Sequence, residues 1–199
     1  MKIIFATRNQ SKAKQVKAKF AGSEFLILTL DEAGIEGDAI EDGDTLRENA
    51  LKKARFAHES SAQKVWTMAD DTGLFIRHLN GAPGINAARW AGENATTDEI
   101  TRHTLKQLEG ASDRSARFET VVALISPEGT EHFFNGEAFG TILEAPRTAP
   151  QPKMPYSPIF VPDGLDKVWA EMTVEEENIV SHRGKAFDKV QAFLNELSK

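Results

Sequence analysis

The apolar positions of the first half come in short runs separated by polar, helix-forming stretches. Ile3 to Ala6 is a continuous apolar run and predicts a buried strand almost at the first residue. Ser11 to Phe20 is rich in lysine and predicts a helix, and Phe25 to Leu30 predicts a second short strand. Residues 31–44 gather Asp, Glu and Gly and read as a loop. Thr45 opens a helix that runs to Glu59, because Thr45 and Glu48 have capping-box spacing, each side chain taking an otherwise orphaned N–H. Val65 to Ala69 predicts a buried strand ending at Asp70-Asp71. A loop rich in Gly, Ala, Asn and Thr over 80–97 follows, then a helix capped by Thr97 or Asp98 and ending near Leu108.

The period changes in the second half. Arg117 to Ile125 and His132 to Leu143 flank the turn Pro127-Glu128-Gly129 and predict two long antiparallel strands. Pro146, Pro150, Pro152, Pro155 and Pro158 exclude a regular helix or central strand from 145–158. From Gly184 to Leu197, the residues Phe187, Val190, Leu194 and Leu197 share one helical face. Alternating strands and helices followed by paired strands predict an α/β protein with a mixed β-sheet. No composition shift marks a linker, and 199 residues suit one domain, so residues 1–199 read as a single unit.

Composition then narrows the class. Hydrophobic residues make up 40% and charged residues 27%, the balance of a folded, water-soluble domain. The chain has no Cys, which excludes thiolate metal sites, iron–sulfur clusters and Cys nucleophiles. No apolar run reaches the ~18 residues of a membrane span, and the first run is too short for a signal-peptide core. A cytoplasmic protein without a membrane partner is the expectation. The net charge of −6 argues against a nucleic-acid partner, while a local basic pocket remains open to a small anion.

Several stretches carry candidate chemistry. Thr7-Arg8-Asn9-Gln10-Ser11-Lys12 follows a strand and opens a helix, so N–H groups, the helix dipole and Lys12 would favour a phosphate there. An ordinary Ser or Asn cap followed by solvated lysines explains the same residues. Asp70-Asp71-Thr72-Gly73 puts two carboxylates at the end of an apolar strand, where α/β proteins place ligands; adjacent residues face opposite ways, so the two acids can take different roles. Its plain alternative is a capped Asp-Gly turn. Glu41, near Asp42 and Asp44, offers hard oxygen ligands for Mg²⁺ or Mn²⁺, or is simply part of a wet acidic loop. Lys52 and Lys53 lie about 100° apart on their helix, so at most one faces a site. Ser181-His182-Arg183-Gly184 places a planar donor and an imidazole just before the last helix, or merely caps it. The other histidines, His58, His78, His103 and His132, lack metal-ligand spacing and read as surface residues.

In order along the chain, the stretches "FATRNQSKAKQ", "EDGDTLRENALKKAR", "MADDTGLFIRHLNGAPGINAARWAG", "RFETVVAL" and "AEMTVEEENIVSHRGKAF" resemble the inosine/xanthosine triphosphate pyrophosphatase family of house-cleaning nucleotide hydrolases. Each stretch alone is weak; the ordered set is specific. The resemblance implies an elongated mixed β-sheet flanked by helices, with two lobes and a central cleft. It implies Mg²⁺-dependent cleavage of a nucleoside triphosphate, typically one with a deaminated purine, to monophosphate and pyrophosphate, and a homodimer. Carried over, Thr7, Asn9 and Lys12 would hold the triphosphate. Glu41 and Asp70 would serve the metal site together with Asp71, which would also be the general base, with Lys12 in the catalytic set. Thr72 would line the pocket, Lys53 and Lys167 would neutralise phosphate charge, and His182 and Arg183 would read the 6-oxo edge of the purine.

One segment departs from the family pattern. Where a Gly-Gly-Phe-Gly-Tyr-Asp-Pro-like loop is expected, the chain reads Pro152-Lys153-Met154-Pro155-Tyr156-Ser157-Pro158. Met154 stands in the place of a stacking aromatic, Pro152 and Pro155 replace glycines, and Ser157 replaces an Asp. The phosphate chemistry is thus expected intact beside an altered base preference, with a catalytically silent nucleotide-binding or sensor protein as the alternative.

Overall fold

A computed structural model of the chain describes residues 1–197. The strands are β1 (Lys2–Phe5), β2 (Leu26–Thr29), β3 (Trp66–Ile76), β4 (Pro83–Gly84), β5 (Ser115–Ile125), β6 (Glu131–Ile142) and β7 (Phe160–Pro162). The helices are α1 (Gln10–Lys19), α2 (Leu46–Ser60), α3 (Thr97–Gln107), α4 (Val174–Val180) and α5 (His182–Leu197). The strands form one sheet in the order β2-β1-β3-β5-β6-β7, with β4 paired to β3. β1 is parallel to β2 and β3, and the later pairs are antiparallel, so the expected mixed α/β sheet is present.

The sheet has two halves because β3, β5 and β6 are long. At one end, α1 and α5 cover one face, Phe20, Phe187, Val190 and Leu194 clustering with Phe5 of β1. The helix α2 covers the other face through Ala50, Ala54 and Ala57. Its small residues let helix and sheet approach closely. At the far end, Leu74, Ile76, Phe118, Ile142, Phe160 and Trp169 form a separate apolar cluster, with Ile100 and Leu108 from the α3 segment. Each half buries its own core, and a cleft lies between them.

Local signals explain most boundaries. Thr45 and Glu48 close their capping box at α2. For α3 the cap is Thr96, one residue before the expected position, in a box with Glu99. The strand β3 does not end at Asp70-Asp71 but runs on to Ile76, because β5 continues to pair with it in register, Asp70 with Val122 and Ile76 with Ala116. The last helix starts at His182 rather than Gly184, and Leu197 is 56% exposed, so it leaves the apolar face expected of it. Of His58, His78, His103 and His132, expected at the surface, only His78 is exposed. His132 packs 4.5 Å from Phe193, and His103 lies edge-on to Trp90 at 5.4 Å. Among the described residues no helix is long and apolar enough to cross a membrane.

Candidate active site

A cavity of about 470 Å³ opens between the two halves of the sheet. One wall begins where β1 turns into α1. Asn9 caps α1, its Oδ1 accepting from Ser11 N at 3.0 Å and Lys12 N at 3.3 Å. Thr7 Oγ1 in turn accepts from Asn9 N at 3.2 Å. The cap is therefore real, yet Lys12 is not a solvated lysine. Its Nζ lies 3.0 Å from Asp70 Oδ2, and Thr7, Asn9 and Lys12 all line the cavity.

Asp70 and Asp71 face opposite ways from the middle of β3, as strand alternation requires. Asp70 is buried and receives two cations, Lys12 and Arg183, the latter through Nε at 3.1 Å. Asp71 Oδ1 accepts from Lys53 Nζ at 2.7 Å, and the same ammonium reaches Glu41 Oε2 at 2.8 Å. Lys52 turns away to Asp42, so one lysine of the pair faces the site.

These environments push the titrations apart. Burial alone would raise Asp70, but Lys12 and Arg183 hold it well below the usual carboxylate range. Burial raises Asp71, and its contact with Lys53 does not fully offset that. Burial lowers Lys12, helped by repulsion from Arg183 and Lys53 and opposed by Asp70. Burial also acts to lower Lys53, but Asp71, Glu41 and Asp70 outweigh it, so Lys53 stays firmly protonated. Lys12 is thus a cation short of negative charge, which an arriving phosphate would supply.

The far wall is set by close backbone approaches. A Cβ at Gly184 would sit 2.0 Å from Asn178 O, and one at Gly136 would sit 2.2 Å from His182 O. Glycine at both places lets α5 start against α4 and β6, which drives His182 and Arg183 inward. Arg183 is 2% exposed. Besides Asp70, its Nη1 donates to Gln15 Oε1 at 2.9 Å and its Nη2 to Thr72 Oγ1 at 3.3 Å. Every guanidinium nitrogen thus has a partner within the protein. His182 stacks on Phe118 with centroids 4.8 Å apart, and Trp169 lies 4.9 Å from its ring. Burial lowers its pKa well below the usual value, so the imidazole is neutral.

The proline-rich segment closes the cavity. Ser11 Oγ donates to Pro152 O at 2.8 Å, which ties the loop to α1. Met154 is half-buried and lines the cavity. Tyr156 Oη donates to Ala87 O at 2.8 Å, and Ser157 Oγ donates to Met154 O at 2.7 Å. Both also line the cavity, but their polar atoms serve the wall itself.

One expected residue is elsewhere. Lys167 is exposed, pairs with Glu176 Oε1 at 2.9 Å and does not line the cavity. Glu176 already stands at the start of α4 in a capping box with Thr173, and it draws Lys167 to that side. Conversely, Gln15, Phe118, Trp169 and Glu177 serve the site without having been singled out. Gln15 lies one turn after Lys12, a spacing that puts both on one helix face. Phe118 is two residues before Thr120 on one face of β5. Nothing in the run Glu175-Glu176-Glu177 separates Glu177 from its neighbours. Among the described residues, no group of three or more His, Asp or Glu converges as a ready cation site.

Comparison with known proteins adds the lineage. The Ham1 family profile matches residues 3–193. A dITP/XTP pyrophosphatase of Thermoanaerobacter sp. (strain X514) is 44% identical over 196 residues, covering 98% of this chain and 96% of that protein. The corresponding protein of Clostridium perfringens is 36% identical over 204 residues, with coverage of 100% and 99%. The Ham1 protein of Staphylococcus aureus superposes with a TM-score of 0.82 at 33% identity, covering 98% of this chain and 99% of its own. The HAM1 protein of Coxiella burnetii gives 0.83 at 35%, with the same coverage. On sequence and on fold, over nearly its whole length, the chain belongs to the Ham1 family.

Proposed function

We propose that the chain hydrolyses a nucleoside triphosphate to monophosphate and pyrophosphate, acting on deaminated purine nucleotides as its relatives' names indicate. The observation that carries the reading is the pairing of Asp70 and Asp71 across β3 within one cavity. One acid anchors Lys12 and Arg183; the other is half-engaged by Lys53 and has its pKa raised by burial. A purely binding site has use for the first arrangement and none for the second, so the silent-sensor alternative is the weaker reading.

In this scheme Lys12, with the turn from Thr7 to Asn9, receives the phosphates, and Lys53 adds a second cation beside them. Asp71 takes the proton of the attacking water, a task suited to a carboxylate whose basicity burial has raised. Fixed cations facing the phosphoryl oxygens stabilise charge that builds in the transition state. Glu41 and Asp71 meet at one ammonium and offer hard oxygen donors that suit Mg²⁺, with Mn²⁺ as a substitute. Mg²⁺ is commonly held by one or two carboxylates plus substrate phosphates, which this pair matches. Bound there, the ion would draw charge from the phosphate chain. Asp70, already occupied by two cations, is better suited to positioning them than to ligating a metal. A homodimer in the cytoplasm completes the proposal.

The test is a hydrolysis panel with Mg²⁺ and with chelator, resolving nucleotide products. Monophosphate and pyrophosphate from inosine or xanthosine triphosphate support the reading. Binding without turnover of any triphosphate would sink it.

A further inference from the structure

Six buried side-chain polar atoms among the described residues lack a hydrogen-bond partner, and three of them belong to residues lining this cavity: Trp169 Nε1, His182 Nδ1 and Glu177 Oε1. Such atoms are rare in folded proteins because each forfeits its hydration, so a cluster at a cavity marks a place where a ligand completes the bonding. All three come from one stretch of chain, residues 169–182, beside the stacked rings of Phe118 and His182. The phosphate-side polar groups lie elsewhere, on α1, α2 and β3, and are paired with one another. The aromatic end is therefore the base end.

Arg183 spends three of its five N–H groups on Asp70, Gln15 and Thr72, and a guanidinium can only donate. An acceptor for the base must therefore come from another side chain. Glu177 is 4% exposed and sits in α4, five residues before His182, which opens α5. We propose that Glu177 is a specificity-determining residue, its Oε1 accepting a hydrogen bond from the ring N–H beside the oxo group of an oxo-purine, while the unpartnered Trp169 indole N–H is a donor available to the oxo oxygen. An indole N–H can only donate, and the carboxyl oxygen supplies the missing acceptor. The lactam edge of a 6-oxo-purine presents that complementary pair, N–H beside C=O. Burial pushes the Glu177 carboxyl up, partly opposed by Arg183, and in either protonation state an oxygen remains free to accept. The inference rests on reading the cavity as a triphosphate site.

The experiment compares wild type, Glu177→Leu and Glu177→Gln on inosine triphosphate and on purine riboside triphosphate, whose ring has no N–H at that edge. Inorganic tripolyphosphate, which has no base, serves as a competitive inhibitor. Leu preserves bulk without an acceptor; Gln preserves an acceptor. For inosine triphosphate, Glu177→Leu is expected to raise KM about tenfold or more, the usual effect of stranding a buried donor, with kcat little changed. Glu177→Gln should stay within a few-fold of wild type. Tripolyphosphate inhibition should not move in either variant. Wild type should disfavour the purine riboside substrate, and Glu177→Leu should remove the part of that difference due to the ring N–H while the part due to the oxo oxygen stays. An unchanged KM in folded Glu177→Leu overturns the proposal, as does an equal loss of tripolyphosphate affinity. If Glu177→Leu does not fold, Glu177→Ala takes its place, and a wild-type ratio near one between the two substrates overturns the proposal in any case. If wild type turns over nothing, the hydrolase reading fails separately, and calorimetric binding of the same two nucleotides still tests Glu177.

Discussion

Arg183 Nε donates to Asp70 Oδ2 at 3.1 Å, joining the start of α5 to the middle of β3 across 113 residues of sequence. Both side chains are at most 2% exposed. A buried pair of this kind adds little over an apolar substitute, yet removing one partner strands the other charge. Arg183→Ala should therefore cost about 3–5 kcal/mol in urea unfolding, because Asp70 and Gln15 lose their donors together. Arg183→Lys should not restore it, since an ammonium cannot reach three separate acceptors in a fixed plane. A loss under 1 kcal/mol would mean that Lys12 alone sustains Asp70.

Asp71 differs from its neighbour in its partners and in the direction of its pKa shift, and so in what its loss should do. Asp71→Asn keeps the shape of the site and leaves Lys53 its contact with Glu41. Turnover of inosine triphosphate should fall by roughly 10²–10⁴-fold, the range of a lost general base. Nucleotide affinity should change by only a few-fold, since Lys12 and the Thr7–Asn9 turn are untouched. Equal losses in kcat and in affinity would instead assign Asp71 to binding.

The contrast between the two acids was partly legible from sequence. Adjacent positions on a strand must face opposite ways, so two different surroundings for the two acids were legible before any coordinates. The capping box at Thr45 and the single inward lysine of Lys52-Lys53 were legible for the same reason, being set by local geometry. What was not legible depends on long-range pairing. The extension of β3 past Asp71 is imposed by β5, which has no local signature in 70–76. Lys167 was carried into the site by resemblance, whereas Glu176 holds it at the surface. Glu177 was hidden among three consecutive acids, and only the fold shows which of them is buried.

Met154 is the clearest departure at the base end. A half-buried thioether can cover a ring by dispersion, with less demand on geometry than an aromatic face. Base–aromatic stacking is worth roughly 1–3 kcal/mol. Met154→Phe should therefore lower KM for purine triphosphates by about tenfold with kcat nearly unchanged, and should not alter tripolyphosphate inhibition. The loop can hold the new ring in place, because Ser157 Oγ accepts from Gln151 N at 2.9 Å and Ser11 anchors Pro152. A KM that stays the same would place Met154 outside reach of the base.

His182 gives the fold a dependence on pH whose sign is fixed by burial. Its pKa lies well below the usual value in the folded protein, where burial comes first and Arg183 adds repulsion. The unfolded chain binds a proton on His182 below about pH 6.5 and the folded one does not, so stability falls as pH drops through that range. The limiting slope is about 1.4 kcal/mol per pH unit for one such group. Asp70, held low, adds loss only in stronger acid, below the unfolded carboxylate range. Glu177, raised by burial, acts the other way: it favours the folded state as pH falls from its folded pKa to its unfolded one. The difference between wild type and His182→Phe isolates the imidazole, because Phe keeps the stack on Phe118 and His182 Nδ1 has no partner to lose. Urea unfolding between pH 7 and pH 5 should show wild type losing stability relative to His182→Phe. Parallel curves would mean that His182 takes up its proton in the folded state as readily as in the unfolded one.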